Sequence, residues 1–106
     1  MNFCTEKIEY DKLKDVTTEV LFKVASARAA GNNVIRFDID SKSAKPLNAL
    51  VRVLRGMKKR GAIQLFITQD GFKSGSTEAQ YILNVHPELS CELPTFDGGA
   101  FVVVKL

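Results

Sequence analysis

The sequence predicts an α/β fold, a single two-layer domain in the order α-β-α-β-α-β with a mostly parallel or mixed sheet. Three observations predict it. Leu13, Val16, Val20, Val24 and Ala27 recur at three- and four-residue steps, the period of a helix with one buried stripe. Val34 to Ile39, Ile63 to Ile67 and Ala100 to Val104 are short runs rich in β-branched and aromatic residues, too short for helices. Helical patterns separate these runs, which is how strands and helices alternate in α/β domains.

The first helix is expected from about Asp11 or Asp15 to Ala30, with Asp15 and Thr17 as N-cap candidates and Gly31 as its left-handed stop. The run ending in Asp-Ile-Asp-Ser reads as the first strand. Pro46 suits the opening turn of a second helix, which continues to about Lys59 before Gly61, and Gly56 weakens this helix without breaking it. Ile63, Leu65, Phe66 and Ile67 form a strand apolar enough to be covered on both faces, joined to the first by a right-handed parallel crossover. Thr68 to Ser76 reads as a polar glycine loop and Ser76 to Val85 as a third helix, with Ala79, Ile82 and Leu83 buried and Pro87 as its stop. The loop Glu88 to Gly99 leads to the closing strand, and one further short strand is expected near residues 3 to 10 or 90 to 96.

A chain of 106 residues, 45% hydrophobic and 25% charged, can bury a core of its own. It reads as one unit over 1–106, with 1–32 an N-terminal extension carrying one helix and 33–106 the core. Cys4 and Cys91 are too few for a disulfide framework. Without a C-x-x-C spacing and with His86 the single histidine, a structural zinc site is not expected, nor is any cofactor. The N-terminal residues lack a cationic segment followed by an apolar one, and no apolar run approaches the roughly 20 residues that span a bilayer. The expectation is a cytoplasmic protein with no membrane partner.

Charge is unevenly distributed. Between Asp40 and Asp70 there is no acidic residue, while Lys42, Lys45, Arg52, Arg55, Lys58, Lys59 and Arg60 all fall there. The net charge of +3 thus conceals a basic middle and acidic flanks. At 100° per residue, Leu47, Leu50, Val51, Leu54 and Met57 share one arc of the second helix, and Asn48, Arg52, Arg55 and Lys59 fall within roughly 60° of one another on the adjacent arc. A row of cations concentrates polyanions and releases their condensed counterions. A solvated amphipathic face has the same pattern.

Three other groups of residues bear on chemistry. Asp38 and Asp40 share one face of a strand and Asp70 ends the next, so the three are candidates to meet at the carboxyl edge of the sheet and hold Mg²⁺; alternatively Asp38 neutralises Arg36 or a lysine, Asp40 ends the strand and Asp70-Gly71 is turn chemistry. Gly71 to Thr77 lacks the spacing of a Walker motif but, with Lys73, suits simple anion binding beside a helix capped by Ser74 or Ser76. His86 precedes Pro87 at a helix end, a structural position, and neither cysteine has the cationic neighbours that activate a nucleophile.

In order and spacing, IQLFITQDG, YILNVHPEL and DGGAFVVVKL resemble the small MutS-related, or Smr, domain, an α/β unit of RNA- and DNA-processing proteins; the resemblance covers residues 33 to 106. It implies nucleic-acid binding. The family's first strand typically ends in Leu-Asp-x-His, and here Phe37, Asp38, Ile39 and Asp40 keep only the aspartate. Its second ends in His-Gly-x-Gly, where Thr68, Gln69, Asp70 and Gly71 keep only the last glycine. Family nuclease activity is therefore not implied. The sequence points to a non-catalytic nucleic-acid-binding domain that contacts phosphates through Lys42, Lys45, Arg52, Arg55, Lys59 and Lys73, with RNA slightly favoured on the resemblance alone. Its alternatives are a protein-interaction or regulatory module binding an acidic protein partner, and a metal-dependent nuclease using Asp38, Asp40 and Asp70.

Overall fold

The computed structural model describes residues 2–8, 16–40, 45–92 and 99–106. β1 (Asn2–Ile8), α1 (Val16–Ala29), β2 (Asn32–Asp40), α2 (Lys45–Lys59), β3 (Leu65–Thr68), α3 (Gln69–Ser74), α4 (Thr77–Val85), a 3-10 segment (Pro87–Glu92) and β4 (Gly99–Lys105) follow one another. The four strands form one mixed sheet in the order β1-β2-β4-β3, with β1 parallel to β2 and β4 antiparallel to both its neighbours. This is a single α/β domain. Of the two segments expected to hold a further strand, residues 2–8 form it, while 90–92 are 3-10 helix and 93–96 lie outside the described residues. Residues 1–32, expected as an extension, contribute β1 and α1 to the sheet and its helical layer.

Strand alternation sorts the core. Ile35, Phe37 and Ile39 of β2 and Val102 and Val104 of β4 face α1 and α2, where Val16, Val20, Val24, Ala27, Leu50, Leu54 and Met57 close over them. Val34, Phe101, Val103 and Ile67 face the other way and are partly covered by Phe72 of α3, Ala79 and Ile82 of α4, and Leu89. Gly31 and Gly61 end α1 and α2 at φ 83° and 77°, the left-handed conformation that only glycine adopts without strain. Thr17, an N-cap candidate, lies inside α1; Asp15 and Leu13 are outside the described residues.

Three expectations are corrected. β3 begins at Leu65, not Ile63, and although both its faces meet the core, Phe66 on the α1/α2 side and Leu65 and Ile67 on the other, it is an edge strand with Leu65, Phe66 and Thr68 only half-buried. β2 and β3 run in the same direction but are not neighbours, because β4 lies between them. The stretch expected as a loop after β3 contains α3, a single helical turn and a half. Asp70-Gly71 suggests a turn by composition, but Phe72 anchors the segment by packing against Phe101 at 5.6 Å between ring centroids.

Gly71 is fixed by that packing. A Cβ there would lie 2.8 Å from Ile67 Cγ2, on a β-branched side chain that is buried and has little freedom to swing away. Gly71→Ala is expected to destabilise by about 1–3 kcal/mol. Gly56→Ala, whose new methyl would meet nothing nearer than Arg60 Nη1 at 3.9 Å, is expected to stabilise by about 0.5–1 kcal/mol through helix propensity. Urea denaturation of the two variants checks both signs.

Candidate nucleic-acid interface

The buried stripe of α2 is Leu50, Leu54 and Met57, with Leu47, Ala49 and Val53 packed against the same core and Val51 outside it. Relative to the arc expected from sequence, which included Val51 and omitted Val53, the helix is rotated by roughly 50°. Asn48, Arg52, Arg55 and Lys59 therefore point directly away from the core, not to one side of it, and all four are exposed. Arg52 to Lys59 spans about 10 Å along the helix at 1.5 Å per residue.

Two cations elsewhere are paired with carboxylates: Lys23 lies 3.1 Å from Glu19, and the buried Arg36 donates through Nε to Asp38 Oδ1 at 2.9 Å. Among the described residues, Arg52, Arg55, Lys58, Lys59 and Arg60 have no carboxylate partner. Lys58 and Lys59 fall in the last turn of α2, where positive charge is also favoured by the helix dipole.

Three cations that flank this face were not in the sequence-based set. Lys58 and Arg60 are exposed at the C-terminal end of α2, and their place in the acid-free stretch was the available signal. Arg28, from α1, donates a hydrogen bond to the carbonyl of Ala62 and so brings another cation near that end. Only the packing of α1 beside α2 reveals it. Lys42 lies outside the described residues, and Lys45 opens α2. Lys73 is exposed on α3, which packs on the opposite face of the sheet, so it stands across the sheet from the α2 row.

The aspartates are not juxtaposed as ends of adjacent strands. β4 separates β2 from β3, putting Asp38 and Asp70 two strand spacings apart, roughly 10 Å. Asp38 pairs with Arg36, a residue 3% exposed whose guanidinium also lies over the Phe101 ring at 4.7 Å. Asp70 is exposed in the first turn of α3. Asp40 ends β2. Among the described residues no three His, Cys, Asp or Glu side chains are grouped to hold a metal ion.

At the glycine loop, Ser76 is the N-cap of α4 and accepts from the Ala79 N–H at 3.2 Å, while the Ser74 hydroxyl bonds the Gly71 carbonyl. His86 caps the C-terminus of α4, buried edge-to-face against Phe3 with centroids 5.5 Å apart, and its Nδ1 is 3.3 Å from Glu88 Oε1. The Glu88 carboxyl is held below its usual range by its own backbone N–H and by His86. Burial, and secondarily Glu6, pushes the Cys4 thiol up, which disfavours the reactive thiolate.

No family model, curated protein or solved structure matches the chain. Among the described residues no helix is long and apolar enough to cross a membrane.

Proposed function

We propose that this domain binds nucleic acid through the phosphate backbone, using the outer face of α2 without catalysing a reaction. The observation that carries the reading is the row Arg52, Arg55 and Lys59, aimed away from the core and without carboxylate partners among the described residues. Lys58, Arg60 and Arg28 add positive charge to the sides of the row near its C-terminal end, and Lys42 and Lys45 precede it in sequence. Such a surface positions a polyanion without reading bases. RNA is slightly favoured over DNA, on the Smr resemblance alone. The engagement of Asp38 by Arg36 and the strand between Asp38 and Asp70 support a binding role over a metal-dependent nuclease.

The test is fluorescence anisotropy with unrelated RNA and DNA oligonucleotides and with poly-glutamate across a range of salt. With three to five phosphates neutralised, log K is expected to fall with log salt at a slope of roughly −2 to −4, with little dependence on sequence. Preference for poly-glutamate over both nucleic acids would assign the face to an acidic protein partner. Metal-dependent cleavage lost in Asp38→Asn or Asp70→Asn would replace the reading with a nuclease.

A further inference from the structure

The two edges of the sheet are treated differently. β1, one edge, carries Glu6 and Lys7, and the ammonium of Lys23 from α1 bonds the Lys7 carbonyl. Charged side chains and covered carbonyls are the usual protection against pairing with another strand. β3, the other edge, is Leu-Phe-Ile-Thr, without charge or proline, and among the described residues no helix runs along its outer side.

Alternation identifies the backbone groups of β3 that have no strand partner among the described residues. The Lys105 carbonyl accepts from Gln64 N–H, and Leu106 N–H goes to Asn33 on β2, so Lys105 and Val103 present their backbone groups to β3. Their register partners Leu65 and Ile67 face β4 in return, and the N–H and C=O of Phe66 and the N–H of Thr68 point outward.

An open cleft of about 250 Å³ runs along this edge. All four residues of β3 line it, with Lys58 of α2 on one side and Glu78 of α4 on the other. It is below the roughly 300 Å³ at which enclosed small-molecule sites begin, and it follows a strand.

We propose that the β3 edge is a docking site for an extended segment of a partner protein, which adds a fifth strand to the sheet. Main-chain bonds to Phe66 and Thr68 hold the segment. Successive side chains of a strand leave opposite faces, so an acidic side chain that meets Lys58 is next in sequence to a basic one that meets Glu78. A second copy of the chain suits the edge poorly: pairing β3 with β3 across a twofold axis would bring two basic α2 helices side by side on one face.

The probes are labelled peptides of about eight residues, alternating Thr and Val, with a central Asp-Lys or Lys-Asp pair. At least one order is expected to bind saturably below about 1 mM in anisotropy titrations. Backbone N-methylation at alternate residues is expected to abolish binding in one parity and spare it in the other, the signature of a strand bonded along one edge. Lys58→Glu is expected to weaken binding at least about fivefold and to be rescued when the peptide Asp is replaced by Lys. Failure of both peptides to saturate, or equal binding of both N-methylated forms, would overturn the proposal. Concentration-dependent dimerisation that excludes the peptide would assign the edge to a second copy and overturn it as well.

Discussion

Leu54→Ala is expected to destabilise the domain by about 2–5 kcal/mol, the range for truncating a fully buried leucine whose surroundings collapse only in part. Leu54 is 0% exposed and lies in the cluster that joins α2 to α1 and to Ile35, Phe37, Val102 and Val104 of the two central strands. Removing it opens a cavity where both helices meet the sheet. Val51→Ala, three positions away, is expected to cost less than about 1 kcal/mol because Val51 lies outside that cluster. The check is a pair of urea titrations with unchanged m-values. Equal losses would restore the helix orientation inferred from sequence, in which both residues share the buried arc, and would turn the cationic row toward the side of the helix.

The difference between the two orientations shows how far the sequence reaches. Period alone identifies α2 as an amphipathic helix, but its charged residues cover one side and leave Val51 and Val53 as rival edges of the apolar stripe. The sheet resolves the rivalry. α1 was legible for a simpler reason: Val16, Val20, Val24 and Ala27 are all buried, and Gly31 stops the helix in the left-handed conformation. β1 is harder to read, because an edge strand needs little continuous apolar character, and NFCTEKI supplies only Phe3, Cys4 and Ile8 to the two core clusters.

The position of β4 could not be read from periodicity at all. Its run of valines marks a buried strand, but nothing local says that it enters between β2 and β3 or runs antiparallel to them. That insertion separates Asp38 from Asp70. It also leaves β3, apolar enough to pass for a central strand, on the edge. For the basic face the sequence supplied the charge and the helix, whereas Arg28 joins it only through the contact of α1 with Ala62, 34 residues further along the chain.

Arg52→Glu combined with Arg55→Glu is expected to weaken binding to RNA and DNA by more than about a hundredfold at low salt and to reduce the salt slope by about 2. Both side chains are exposed on the face opposite the buried stripe, so the substitutions remove two cations and add two anions where phosphates would lie. The fold gives little reason for a stability loss. Arg55 and Lys59 are an i,i+4 pair of like charges, and Arg55→Glu makes that pair attractive, offsetting part of the unfavourable charge brought toward the C-terminal end of the helix. The thermal midpoint is therefore expected to stay within about 4 °C of the parent, as for a surface change of about 0.5 kcal/mol. Anisotropy titrations and a thermal melt on the same preparation separate the outcomes. Parental affinity at low salt would remove α2 from the nucleic-acid interface, whereas a large fall in the midpoint would show that these arginines support the fold itself.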